Sequence, residues 1–272
     1  MAGVFLLVPI LGTFWSSLFR DVAYLPVQFA GGGNFLALFG DPSFRQAAVF
    51  TLLFVCVSVP LEAALGLMFA LVLNATLPFK GVLRAVVLLP WAIPAAVSAN
   101  AFRLIYRYRD GLANAVLLWL GLTDAPIHWL GSAPGAFAAL VLADVWKTAP
   151  FAALLFLAGL AAVPEDLIRQ ARVDGAHFIQ RFRLITWPLL RPVATVVILF
   201  RTVDALRVFD LNYILTGGGP GGATASLSLL GYRRYLAGDF GMGAAVSVTL
   251  FLIALLFTLL YVRRSRVLAG GA

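Results

Sequence analysis

VPEDLIRQARVDGAHFIQRFRLITWPLLRP, Val163 to Pro192, is a polar stretch set between two strongly apolar ones. Charged residues make up 12% of the chain, yet this stretch holds Glu165, Asp166, Arg169, Arg172, Asp174, Arg181, Arg183 and Arg191. Pro164 suits the first position of a helix, and Glu165 and Asp166 lie at the positive end of its dipole. Leu167, Ile168 and Ala171 then form a short apolar stripe, and Asp174-Gly175 is a turn signal that ends it. The spacing predicts a short amphipathic helix, a bend, a second basic helical segment, and an apolar run opened by Pro188. On chemistry alone, an ordinary charged loop fits as well as a docking element.

The flanking sequence belongs in a membrane. Hydrophobic residues are 62% of the chain and the mean hydropathy is +0.96, far above the roughly half-apolar usage of soluble domains. A span needs about 20 largely apolar residues. Six candidates follow: Gly3–Leu18, Ala47–Leu73, Val82–Ala101, Ala136–Ala161, Leu189–Val208 and Met242–Val262. Runs of this kind satisfy their backbone hydrogen bonds in lipid only as helices, whereas barrel strands would alternate. The expectation is an all-α integral membrane protein of about six transmembrane helices, residues 1–272 forming one transmembrane domain with the loop at 163–192. Met1 leads straight into apolar residues, with no basic region or small-residue cleavage site, so the first span is expected to be retained. GLANAVLLWLGL, Gly111 to Leu122, is too short to cross and is expected to lie at the interface.

The basic residues suggest an orientation. One set of loops carries Lys80, Arg84, Arg169, Arg172, Arg181, Arg183, Arg191, Arg263, Arg264 and Arg266; the other carries Arg20, Arg45, Arg103, Arg107, Arg109, Arg207, Arg233 and Arg234. The first set is larger and closer to span ends, so it is expected on the cytoplasmic side with both termini. The net charge of +8 is then mainly a topology signal, and no soluble basic domain exists to bind nucleic acid. Cys56 is the single cysteine, which leaves no disulfide. His128 and His177 stand alone, without metal-ligand spacing or a catalytic arrangement, and no Gly-Lys-Ser/Thr occurs for a nucleotide-binding loop.

The quoted stretch resembles the EAA loop of permease subunits from binding-protein-dependent ABC importers, especially the carbohydrate type. The family pattern is Glu-Ala-Ala, three residues, Gly, nine residues, then Ile-x-Leu-Pro. Ala171, Gly175, Ile185 and Pro188 sit at those spacings. Arg169, Gln170 and Trp187 depart from it. Further likenesses are Asp41 to Phe54, LPWAIP (Leu89 to Pro94), DVWKTAPF (Asp144 to Phe151) and LTGGGP (Leu215 to Pro220). The resemblance implies a type I importer permease fold in a prokaryotic inner membrane, with the 163–192 loop cytoplasmic. It implies ATPase coupling through Leu167, Ile168, Arg169, Ala171, Asp174 and Gly175. It also implies separate ATP-binding cassette subunits that bind the ATP, a second permease that is related but different, an extracytoplasmic binding protein and a carbohydrate substrate. No cofactor is expected in the chain itself.

Ionisable groups inside the spans cost roughly 2.5–3.5 kcal/mol each and mark functional sites by default. Asp144 and Lys147 are spaced to pair on one helix face, as are Arg201 and Asp204. Structural ion pairs and a polar site for sugar hydroxyls are both open readings. In sugar permeases of the family the corresponding helices line the pathway, which implies Asp144, Phe151, Arg201 and Asp204 as pathway residues. Glu62 reads as a helix–helix hydrogen bond rather than a substrate group. Pro90 and Pro94 should bend their helix and leave carbonyls in need of partners. The alternatives are an ABC permease for a non-sugar solute such as glycerol-3-phosphate, and an ion-coupled secondary transporter. The latter leaves the loop unexplained and lacks an internal repeat.

Overall fold

The computed structural model describes residues 2–75 and 78–269. Thr76 and Leu77, and the side chains of Arg264 and Arg266 counted above, lie outside the described residues.

The described residues are mostly helical. Helix α1 (Ala2–Ser17) leads into a two-stranded hairpin, β1 (Phe19–Arg20) and β2 (Gln28–Phe29), and a short α2 (Gly33–Gly40). Then come α3 (Pro42–Asn74), α4 (Lys80–Ala92), α5 (Ala95–Ile105), α6 (Leu112–Trp119) and α7 (Ala133–Ala161). The polar stretch forms α8 (Glu165–Val173) and α9 (Phe178–Arg181), and a π turn (Phe182–Thr186) carries it into α10 (Trp187–Leu206). A second π turn (Asn212–Thr216), α11 (Leu227–Leu236) and α12 (Phe240–Ala269) complete the chain.

Among the described residues, three helices are long and apolar enough to cross a membrane: α3, α7 and α12 through Arg263, with mean hydropathies of 2.2, 1.6 and 2.5. The helices α4 and α5 reach the same length and hydropathy only when taken together across the break between them. Pro94 causes that break. It has no N–H to continue the ladder and it holds Ile93 in an extended conformation (φ −72°, ψ 133°). Helix α1, with 16 residues, is short for a span. Helix α10 has the length at 20 residues but carries Arg191, Arg201 and Asp204. Within the Gly111 to Leu122 segment, residues 112–119 form the short helix α6.

By its contacts the chain divides into two compact units. The first holds residues 1–56, 95–141 and 204–256. Its core packs Leu38, Phe44 and Ala47 against Leu227, Leu230, Ala245 and Val246. Buried polar ties hold its loops: Asn34 Nδ2 donates to the carbonyls of Ser17 (2.9 Å) and Phe19 (2.7 Å). Asn114 serves Tyr108, Ile127 and the indole of Trp129.

The second unit holds residues 57–94, 142–203 and 257–272. Ala70 of α3, Ala152, Phe156 and Leu160 of α7, and Leu190, Ala194 and Val197 of α10 form its core. Small residues let these helices approach closely. A Cβ on Gly66 would stand 2.6 Å from the Ala152 Cβ and 2.9 Å from the Ala153 nitrogen. Packing of this kind is what holds helices together where lipid removes the hydrophobic drive.

Candidate functional site

Helix α8 is built as the sequence suggests. Glu165 and Asp166 occupy its first turn and Arg172 its last, matching the dipole at both ends. Its C-terminus is a Schellman turn: the Ala176 N–H bonds the Ala171 carbonyl at 2.9 Å, and the Gly175 N–H bonds Arg172 at 3.1 Å. Gly175 sits at φ +79°, the left-handed region that a Cβ disfavours. None of its nine residues is buried. Leu167 is exposed and Ile168 and Ala171 are half-buried, while Asp174 and Gly175 are exposed at the turn. Arg169 pairs with Asp166 at 2.6 Å on an open surface. A solvated pair of this kind holds little energy, about 0–1 kcal/mol. A nine-residue helix is not stable on its own propensity, and little of the amphipathic α8 is covered.

The link from α8 to the spans follows the expected order of a bend, a second basic helical segment and an apolar run from Pro188. The helical path runs unbroken through that proline, from Phe178 to Leu206. Pro188 has no N–H to offer the preceding turn, and the chain widens into the π turn at Phe182–Thr186 just ahead of it. A continuous helix therefore joins the end of the α8 turn to the intramembrane charges.

Those charges are arranged across helices. Arg201 is buried, and its Nε donates to Glu62 Oε2 at 2.5 Å. Its Nη2 lies 3.8 Å from Asp144 Oδ2. The side chains of Glu62 and Arg201 are 0% and 4% exposed. Glu62 therefore does make the helix–helix hydrogen bond expected of it, and Arg201 is its donor. Asp204, one turn further along α10, is exposed and faces Arg207 at 3.7 Å. Phe151 is half-buried and stacks on Trp91, with ring centroids 5.6 Å apart. Lys147 Nζ donates to the carbonyls of Ile93 and, at 3.4 Å, Trp91. These are the terminal carbonyls of α4 that the Pro94 break leaves open. A cation there also suits the negative end of the helix.

Local spacing could not reveal the Glu62–Arg201 pair, because 139 residues separate its members. The available signal was the charge itself: Glu62 and Arg201 are acid and base on different apolar spans, and burial forces such groups together.

The fold and this arrangement define a class of protein. Residues 33–267 match the family described as "Binding-protein-dependent transport system inner membrane component", and the chain belongs to it. It is a multi-pass membrane permease of the ABC importer type. Its relatives include the "Trehalose/maltose transport system permease protein MalF" of Thermococcus litoralis, 50% identical over 97% of this chain and 89% of that protein. Another is the "Trehalose transport system permease protein SugA" of Mycobacterium tuberculosis, 40% identical over 93% and 82%. Among solved structures, a bacterial ABC transporter involved in importing the acidic polysaccharide alginate shares the fold. Its TM-score is 0.84 at 24% identity, over 97% of this chain and 90% of that one.

Proposed function

We propose that the chain forms part of a carbohydrate pathway in an ATP-driven importer, with the solute delivered by an extracytoplasmic binding protein. ATP hydrolysis belongs to separate ATP-binding cassette subunits, and a related but different permease completes the pathway. Residues 1–272 act as one permease domain. The 163–192 loop and both termini face the cytoplasm, in keeping with the basic residues gathered near those span ends. The observation that carries this reading is α8: amphipathic, little covered, closed by a left-handed glycine, and joined by an unbroken helix to the intramembrane charges.

In this reading Leu167, Ile168, Arg169, Ala171, Asp174 and Gly175 meet the ATPase. Nucleotide-driven movement of α8 passes through the π turn into α10. The relatives named for trehalose and maltose support a carbohydrate substrate. Asp144, Phe151, Arg201 and Asp204 are the pathway residues, offering acceptors, donors and an aromatic face for sugar hydroxyls and rings. The test is uptake into proteoliposomes of the complete importer with its binding protein. Labelled trehalose or maltose should accumulate with ATP and not without it. Uptake of glycerol-3-phosphate with no sugar uptake would overturn the carbohydrate reading and leave the permease class intact.

A further inference from the structure

A pocket of about 630 Å³ lies under α8, where the membrane helices α3 and α7 end at Asn74 and Ala161. Its lining includes the apolar side chains of Leu71, Leu160 and Phe182 and the guanidinium groups of Arg169, Arg172 and Arg181. Glu165 is the one acid among its lining residues. Three guanidinium groups against Glu165 and the Asp166 that pairs with Arg169 leave a local excess of one positive charge. Arg181 Nη1 donates to the Ala176 carbonyl at 2.5 Å and Arg169 to Asp166 at 2.6 Å. Both still hold further N–H donors, five being available on each guanidinium. Arg172 makes no ion pair among the described residues. Planar guanidinium forks match phosphate oxygens in geometry as well as charge, and basic pockets at the ends of membrane helices suit anionic headgroups.

We propose that this pocket binds a phosphate group, with Arg172 and Arg181 as its main ligands. The face of α8 that lines it carries Glu165, Ile168, Arg169 and Arg172. Leu167, Ala171 and Asp174 of the proposed ATPase contact lie away from that face, and Arg169, with its side chain 69% exposed, stays accessible, so an occupied pocket leaves that contact surface open to a partner. The ligand thus sets the pose of α8 from beneath. Two sources supply the chemistry: the headgroup of an anionic phospholipid, whose chains would follow the apolar lining, or a soluble phosphate. The proposal stands apart from the substrate reading, because its readout is retained ligand and not transport.

Native mass spectrometry of the purified importer, extracted from vesicles of phosphatidylcholine and phosphatidylglycerol, tests it. The Arg172→Gln/Arg181→Gln variant should retain phosphatidylglycerol about tenfold less than wild type, the loss of roughly one charge-assisted hydrogen bond. Arg183→Gln/Arg191→Gln removes equal charge outside the pocket and should leave retention as in wild type. Arg172→Lys/Arg181→Lys keeps the charge without the fork and should fall between, which guards against a glutamine variant that fails to fold. A second arm titrates inorganic phosphate. If phosphate alone binds wild type and displaces the lipid, while the glutamine pair binds neither, the ligand is a soluble phosphate and the site stands. Equal retention in wild type and the pocket glutamine variant, or an equal loss in the Arg183/Arg191 control, overturns the proposal.

Discussion

Replacing Glu62 by leucine leaves Arg201 buried without the carboxylate that accepts from its Nε at 2.5 Å. Removing one member of a buried pair costs about 3–5 kcal/mol, because the remaining ion keeps its desolvation penalty. Asp144, whose Oδ2 lies 3.8 Å from Arg201 Nη2, keeps a second carboxylate beside the guanidinium. The expected cost of Glu62→Leu is therefore near the low end, about 3 kcal/mol. Glu62→Leu combined with Arg201→Met removes both ions and should recover most of the stability, since an apolar replacement of a whole pair is often neutral or better. The assay is thermal unfolding of the purified complex in detergent, compared across the two variants and wild type. A double variant as unstable as Glu62→Leu alone would refute the pairing of Glu62 with Arg201.

Two further consequences concern packing and capping. Gly66→Ala forces a Cβ to 2.6 Å from Ala152 and 2.9 Å from the Ala153 backbone nitrogen. It should destabilise the permease by about 1–3 kcal/mol, with only partial recovery on adding Ala152→Gly because the backbone contact remains. A melting temperature unchanged from wild type would contradict the close approach of α3 and α7. Lys147→Met withdraws the cation from the Trp91 and Ile93 carbonyls and should cost about 1.5–3 kcal/mol, the range for a hydrogen bond to a charged group. It should also speed amide exchange between Leu89 and Val97 in hydrogen-exchange mass spectrometry, and unchanged exchange there would count against the cap.

Much of this was readable in the sequence because its signals are local. The apolar runs gave α3, α7 and α12, and Pro94 gave the break between α4 and α5. Pro164, the two acids and Asp174-Gly175 placed both ends of α8 within a residue or two. What could not be read was pairing at a distance. Helical spacing suggested Asp144 with Lys147 and Arg201 with Asp204. It could not suggest Arg201 beside Glu62 and Asp144, or Lys147 on the carbonyls of α4. Periodicity along one helix says nothing about which second helix faces it. The π turn before Pro188 was equally hidden, because a proline signals a lost hydrogen bond but not whether the helix ends or widens around it.

The central claim is that α8 transmits ATP hydrolysis to the pathway, and its most direct test is a coupling ratio for Gly175→Leu. The substitution meets no atom within 4 Å of its Cβ and sits at φ +79°. It should therefore leave the two compact units folded while straining the α8 turn by about 1–2 kcal/mol and crowding the surface offered to the ATPase. In proteoliposomes with the ATPase and binding protein, ATP consumed per sugar transported should rise well above the wild-type ratio while membrane insertion stays normal. A variant that inserts normally and keeps the wild-type ratio would contradict the account.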